Sequence, residues 1–331
     1  MNNVILLNSR PDGKPKLSDF KFSTEEKPEI GAGEMLLKTK FISVDPYLRG
    51  RMSESKSYIA SFELGKPINS GGVAEVVASN VDGYKVGEFV SGGLDWKEFQ
   101  LSNGKNLTKV NESLAPLSNY LGILGMTGLT AYFGLSEIGV PKKGETIVVS
   151  GAAGAVGNMV GQIGKILGCR VVGIAGTDEK VNALKTDFGF DEAINYNTEP
   201  NITKAIANFC PNGVDVYFDN VGGEISDGVH ANINRLGRVI VCGAISSYND
   251  TTPPQGPRVE QFLIKKSVLM QGFIVGNYAD KFPDGIKQLS TWLKEGKLVS
   301  SETIVEGFNN IPQAFIDLFE GKNNGKMIVK I

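Results

Sequence analysis

The sequence predicts an α/β chain in two parts: a compact β-rich region to about residue 120, then a doubly wound parallel sheet. Three observations carry this. The stretch 145–165, ETIVVSGAAGAVGNMVGQIGK, passes from a β-branched run through Gly151, Gly154 and Gly157 into a helix-compatible run. From residue 146 onward, strand-like and helix-like patterns alternate, as βαβ units require. Before it, short alternating runs at 35–39, 71–78 and 88–90 are broken by Gly, Pro, Asp and Asn, giving strands and turns with few clear helices.

In the second part, strands are expected at 146–150, 170–175, 192–196, 214–220, 238–243 and 267–273. Helical patterns lie between them at 155–167, 178–187, 202–209 and 224–236. Ile147, Val148 and Val149 read as a strand buried on both faces. Ligands of such sheets sit beyond the carboxyl ends of the strands, which makes Gly176, Asn220 and 246–248 informative. After the turn at 321–325, residues 326–331 read as one more strand, able to return to the first domain and make the second part an insertion. The Pro-rich piece 251–257 reads as a loop past a strand end.

A strand ending in a glycine turn and entering a helix can hold a diphosphate. The glycines allow a tight turn and a close approach, and the helix start offers N–H groups and a positive dipole end. The plainer alternative is a turn that only packs a helix closely on a sheet.

The bulk numbers exclude several classes. With 34 basic and 36 acidic residues, a formal net charge of −2 and no long block of either sign, no nucleic-acid or membrane partner is expected. No run of roughly 18 apolar residues and no charged-then-apolar leader appears. The cysteines, Cys169, Cys210 and Cys242, are dispersed and odd in number, which fits a reducing cytoplasm. With one histidine and no CxxC, no conventional zinc site is expected, nor a His-based triad. His230 reads as a partly exposed residue of an amphipathic helix at 223–236, not a base.

NAD sites usually place an acid about 20 positions after the glycines, on the ribose. Here the second strand ends in the neutral Ala175-Gly176-Thr177, and Thr177 or Asp178 would cap the next helix. Lys180 then falls in a first helical turn, where the dipole disfavours a cation. A 2′-phosphate would supply the missing partner, and Tyr196 at the third strand end could hydrogen-bond it, so NADP is expected over NAD. Pairing of Lys180 with neighbouring carboxylates is the alternative.

Eight motifs in order carry a family resemblance: SVDPYLRGRM (43–52), GMTGLTAYFGL (125–135), SGAAGAVG (150–157), GTDEK (176–180), FDNVGGE (218–224), CGAISSYN (242–249), GFIVGNY (272–278) and GKNNGK (321–326). Over essentially its whole length the chain resembles the zinc-independent medium-chain dehydrogenase/reductase superfamily. Within it, it is similar to the leukotriene B4 dehydrogenase, prostaglandin reductase and 2-alkenal reductase group. The segment 66–79 and the Trp96 region look closer to bacterial-type members.

The resemblance implies a GroES-like β-rich catalytic domain (1–124), a Rossmann NADP-binding domain (125–297) and a return segment (298–331). It implies NADP(H) contacts at Gly154, Ala155, Val156, Gly157, Gly176, Lys180, Tyr196, Asn220, Cys242, Gly243, Ala244, Ile245, Ser246, Tyr248, Phe273, Ile274, Val275 and Asn323, and no metal. It also implies a homodimer, with 267–273 as a candidate interface.

The chemistry implied is hydride transfer to the β-carbon of a small apolar enone or alkenal, with charge building on the carbonyl oxygen. Tyr248, just past a strand end, is the expected donor to that oxygen or a proton relay; a loop tyrosine packed on the cofactor is the alternative reading. Tyr47, in the DPY motif, looks like a substrate-side residue. Arg49 could meet a substrate carboxylate or pair with Asp45. Met126 and Thr127 are expected on the cofactor side, and Cys242 as a small packing residue. A quinone oxidoreductase and a non-catalytic NADPH-binding protein are the competing functions.

Overall fold

The computed structural model describes residues 1–331. The chain forms two compact units, Met1–Leu121 with Glu302–Ile331, and Gly122–Ser301. In chain order the first unit begins with strands β1 (Asn2–Leu7), β2 (Phe20–Glu25) and β3 (Met35–Ser43), helix α1 (Leu48–Arg51), then β4 (Asn69–Ser79), β5 (Phe89–Asp95), β6 (Phe99–Ser102) and β7 (Thr108–Val110). The second unit runs α2 (Met126–Phe133), β8 (Thr146–Ser150), α3 (Ala155–Ile166), β9 (Arg170–Ala175), α4 (Asp178–Thr186), β10 (Glu192–Asn195) and α5 (Ile202–Phe209). It continues with β11 (Val214–Asp219), α6 (Gly223–Asn232), β12 (Ile233–Val241), α7 (Glu260–Lys266), β13 (Leu269–Gly272) and α8 (Phe282–Lys294). The chain then closes the first unit with β14 (Glu302–Glu306), α9 (Ile311–Leu318) and β15 (Lys326–Lys330).

In the second unit the sheet order is β10-β9-β8-β11-β12-β13, and every pairing is parallel. The order reverses between β8 and β11, which is where a doubly wound sheet opens its ligand crevice. Ile147, Val148 and Val149 have no exposed surface, as a strand covered on both faces requires. Glycine is needed where α3 settles on the sheet. A Cβ on Gly161 would lie 1.9 Å from the Phe190 ring, and one on Gly157 would lie 2.3 Å from the Gly151 carbonyl oxygen.

The expected helix at 224–236 is corrected by four residues, because α6 stops at Asn232 and Ile233 already pairs with Val214 as the start of β12. Buried Ile233 turns extended there (φ −64°, ψ 139°), and Leu236 adopts φ +61°, which no helix continues through. His230 is also corrected. It is buried, not partly exposed, because its ring lies edge-on to Tyr217 of β11, with centroids 6.0 Å apart. Helices α8 and α9 each carry a proline in the first turn, Pro283 and Pro312, a start signal the apolar spacing alone does not reveal.

In the first unit β14-β15-β3-β4-β5-β7 form one sheet, with β6 on β3, and β1 pairs with β2. Its core includes Phe20 stacked on Trp96 at 6.0 Å and edge-on to Phe315 of α9. The indole N–H of Trp96 donates to Ser70 Oγ at 2.9 Å, so the buried ring leaves no polar atom unpaired. The return segment is fastened by a buried ion pair: Lys326 Nζ lies 3.0 Å from Asp45 Oδ1, with 4% and 6% of the side chains exposed. The same ammonium donates to the Val44 and Met327 carbonyls at 2.9 and 3.0 Å. Removing one partner strands a buried charge, so Lys326→Met is expected to cost about 3–5 kcal/mol in urea unfolding. A loss below about 1 kcal/mol would show that the pair does not hold the return segment in place.

Candidate active site

The glycine turn leads into the start of α3. Gly151 takes φ +57°, the Ala152 N–H donates to Ile174 across the sheet (3.0 Å), and the Gly154 N–H donates back to Gly151 (3.0 Å). Gly154 then stands extended as the N-cap and supplies no side-chain acceptor. The N–H groups of Ala155, Val156 and Gly157 therefore lack an intrahelical partner at the positive end of the helix, an arrangement suited to an anion. Helix α4 starts differently, with the Thr177 hydroxyl accepting from the Lys180 N–H at 3.2 Å. That resolves the choice of cap in favour of Thr177.

Gly176 and Tyr196 meet at the ends of β9 and β10, and Lys180 follows in the first turn of α4. A Cβ on Gly176 would lie 2.7 Å from the Tyr196 hydroxyl, so only glycine lets the phenol close over the strand end. The Tyr196 N–H donates to Ala175, and the Asn197 side chain donates to the Gly176 carbonyl at 2.7 Å. Asp178 is turned to Asn195, whose amide it accepts at 2.7 Å. Burial lowers the Lys180 pKa from its ordinary value.

A residue absent from the expected set organises the crevice. Asp219, at the end of β11, is 4% exposed. Its Oδ1 accepts from Ser150 Oγ (3.0 Å), Tyr217 Oη (2.8 Å) and the N–H groups of Val221 (3.0 Å) and Gly222 (2.8 Å), and its Oδ2 accepts from Ser226 Oγ (2.8 Å). Its main-chain oxygen takes the N–H groups of Cys242 and Gly243 at 2.9 and 3.1 Å. Asn220 follows, bonded through its N–H to Ser150 Oγ and through its amide to the Ser150 carbonyl. An acid at the carboxyl end of the strand, after the apolar run Val216-Tyr217-Phe218, is the sequence signal that marks this position. His230 packs on the same Tyr217 with neither ring nitrogen hydrogen-bonded, and burial lowers its pKa.

Past β12, Gly243, Ala244, Ile245 and Ser246 lead to Tyr248. The Tyr248 hydroxyl accepts from the Ala244 N–H at 3.3 Å, and a Cβ on Gly243 would lie 3.1 Å from it. Burial raises the Tyr248 pKa, which keeps the phenol protonated with its own proton available. The Ile245 N–H donates to Asn220, and Ser246 reaches the Val221 carbonyl through both its N–H and its hydroxyl. Phe273 packs edge-on to Phe218, while Ile274 is 37% exposed and Val275 opens a short 3₁₀ segment. Thr127 uses its hydroxyl on the Gly122 carbonyl at 3.0 Å, and Met126 is exposed.

Tyr47, Arg49 and Asn323 belong to the other unit. Arg49 is corrected on both of its expected readings. Its guanidinium is buried and donates to the Pro11 carbonyl (3.0 Å) and the Gly13 carbonyl (3.0 and 3.2 Å), tying down the 11–13 loop. Asp45 is paired with Lys326 instead. The Asn323 amide donates to Gly325 at 2.8 Å within its own turn. Burial raises the Tyr47 pKa, with the nearby Asp45 charge adding to the rise. No group of three or more His, Cys, Asp or Glu side chains is placed to hold a metal ion.

Residues 3–110 match the family described as the N-terminal domain of oxidoreductase, and residues 155–291 match the zinc-binding dehydrogenase family. The chain is 58% identical over 329 residues to YfmJ of Bacillus subtilis, named as an NADP-dependent oxidoreductase, covering 99% of this chain and 97% of the relative. The chain belongs to the medium-chain dehydrogenase/reductase superfamily. Another member, the NADP(+)-dependent 2-alkenal reductase of Nicotiana tabacum, is 41% identical over 335 residues, covering 100% of this chain and 97% of that protein. Among solved structures, CurA of Vibrio vulnificus in complex with NADPH superposes with a TM-score of 0.94 at 42% identity, covering 99% of this chain and 98% of that one.

All three thiols of this superfamily member are shielded. Burial pushes Cys169 and Cys210 up to about 11 and Cys242 up to about 12, from an ordinary 9.0. In the unfolded chain the thiols ionise first, so folding stability is whole below pH 9 and falls as pH climbs from 9 towards 11–12. At pH 8 a disulfide reagent is expected to label the native chain at least about 100-fold more slowly than the urea-unfolded chain. Comparable rates would show that a thiol is open to attack.

Proposed function

We propose that this protein is an NADPH-dependent reductase of the carbon–carbon double bond of α,β-unsaturated aldehydes and ketones, acting in the cytoplasm as a homodimer. It is an enzyme, an oxidoreductase whose cofactor is NADP(H). The residues fit that cofactor. The uncapped N–H groups of Ala155, Val156 and Gly157 suit its diphosphate, and Gly176 and Tyr196 at the strand ends, with Lys180 in the first turn of α4, suit a 2′-phosphate. Asn220, Cys242–Ser246 and Phe273–Val275 are assigned to its nicotinamide end, and Asn323 to a further contact. When bound, NADPH supplies the hydride.

The observation that carries the reading is the Tyr248 phenol: neutral, desolvated, and aligned by the Ala244 N–H at the strand end. It donates a hydrogen bond to the carbonyl oxygen of the substrate, on which negative charge gathers as the β-carbon is reduced. Asp219 holds both walls of the crevice so that this donor is positioned before substrate arrives. Solvent returns the α-carbon proton. Tyr47 is assigned to substrate contact.

NADPH oxidation followed with trans-2-hexenal, a small enone and a quinone separates the readings. Turnover of the enal and enone is expected; turnover of quinone alone would overturn the proposal, and no acceptor-dependent oxidation would overturn any reductase reading. Tyr248→Phe is expected to lower kcat about 100-fold with the KM for NADPH within about twofold. Lys180→Ala is expected to raise the KM for NADPH about tenfold and leave that for NADH unchanged. An unaltered NADPH/NADH preference would disprove the 2′-phosphate assignment.

A further inference from the structure

Helix α2 does not simply stop after Phe133. It runs on into one turn of wider winding, Gly134–Gly139, closed by the Val140 N–H on the Leu135 carbonyl five residues back, at 2.7 Å. Such π-turns are rare and are frequent at functional sites. This one ends on Val140 at φ 36° and ψ 57°, a left-handed conformation that a β-branched side chain resists. Arg238 of β12 holds that end, donating from Nε to the Gly139 carbonyl at 2.8 Å and from Nη2 to the Val140 carbonyl at 3.4 Å. Its guanidinium is itself paired with Glu145. A strained ending held in place by its surroundings points to something gained by the winding.

What is gained is a pair of glycines facing the sheet. Gly134 and Gly139 are five residues apart, which in an α-helix would set them about 140° apart round the axis. The wider turn, bonded at a spacing of five, brings both to the sheet side. A Cβ on Gly139 would lie 2.8 Å from Ile240 Cδ1 and 3.3 Å from Val216 Cγ1. A Cβ on Gly134 would lie 2.5 Å from Phe218 Cε2 and 3.1 Å from Phe273 Cζ.

Of these two rings, Phe218 has no room to give way. It has no exposed surface, and its strand is paired on both sides, with Val149 of β8 and Ile240 of β12. Phe273 is half-buried just past the edge strand β13, and its N–H reaches the Val241 carbonyl at a long 3.4 Å. Ring packing locates it instead. It lies edge-on to Phe218 at 6.4 Å and tilted to Tyr278 at 6.3 Å, and Tyr278 stacks on Phe133 of α2 at 5.3 Å.

We propose that Gly134, presented by the π-turn, is the positioning residue of the Phe273–Val275 segment and, through it, of the nicotinamide ring. The absent side chain is the seat that lets Phe273 lie against Phe218. This rests on the cofactor assignment above, in which 273–275 meets the nicotinamide end. The 2′-phosphate end is assigned to Gly176, Lys180 and Tyr196, so the two ends of the cofactor should respond separately.

The test uses the full chain with Gly134→Ala, Phe273→Leu, the two combined, and Gly139→Ala as the packing control from the other end of the same turn. Each is titrated with NADPH, followed by the emission of its nicotinamide, and by calorimetry with 2′,5′-ADP, which carries the 2′-phosphate but no nicotinamide. Gly134→Ala is expected to weaken NADPH about tenfold and to reduce the change in its emission on binding, with 2′,5′-ADP held within about twofold. Phe273→Leu is expected to do the same, and the combined variant to be no weaker than either alone. Gly139→Ala is expected to leave both affinities within about twofold, whatever it does to the melting temperature. The set is repeated on a Val140→Gly background, where glycine removes the left-handed strain and offsets lost stability. If Gly134→Ala leaves NADPH binding unchanged, weakens 2′,5′-ADP in step, or adds to Phe273→Leu, or if Gly139→Ala reproduces its effect, the proposal is overturned. If Phe273→Leu itself changes nothing, the assignment of 273–275 to the nicotinamide fails, and the role of Gly134 falls with it.

Discussion

The nucleotide-binding unit depends on one buried carboxylate at the place where its sheet changes direction. A doubly wound sheet opens a crevice at the switch between β8 and β11, because crossovers leave that point on opposite faces. An open crevice is poor at holding its own walls. Asp219 ties them: Ser150 from β8, Tyr217 from β11, the turn at Val221 and Gly222, and Ser226 from α6 all donate to its two oxygens. Its main-chain oxygen fixes the end of β12 at Cys242 and Gly243. Five donors satisfy a buried acceptor in full, which is the condition under which burying it is tolerable. Tyr248 then needs only a short 3₁₀ turn to return its hydroxyl to the Ala244 N–H.

The first unit uses the same device for a different purpose. Its last strand, β15, arrives after some 180 residues spent in the other unit, and such a long-range pairing gains little from local propensity. The Lys326 ammonium meets Asp45 and two carbonyls beside β3, so a charge that water would otherwise keep is neutralised only when β15 docks correctly. Arg49 and Arg51, two residues apart on α1, point to separate loops, since alternate positions on a helix do not share a face. One secures the 11–13 loop and the other the end of the 53–61 loop.

Several expectations failed for related reasons. An arginine near a DPY motif reads as a ligand for an anion, but in the fold its guanidinium is enclosed by carbonyls of a loop some 36 residues earlier. The Asp45 partner lies 281 residues later in the chain. Neither separation leaves a trace in local spacing. His230 has a helical pattern that permits exposure, and only Tyr217 beneath α6 makes it buried. The end of α6 is likewise set by the pairing of Ile233 with Val214, a tertiary contact that overrides a continuing helical pattern.

By itself the sequence determined the parallel sheet, the glycine turn, the neutral end of β9 and the cation in the first turn of α4. These follow from periodicity, from the φ freedom of glycine and from capping rules, all of which act over a few residues. Eight ordered motifs added the family. The tertiary structure alone decided what each polar side chain spends its hydrogen bonds on: Asp219 as the tie of the crevice, Thr177 as the cap, Arg49 as the anchor of the 11–13 loop, Arg51 as the tie between Ala60 and Asn69. Hydrogen bonding is a question of which groups meet after the chain has folded back, and that information is held in the pairing of distant strands rather than in any window of the sequence.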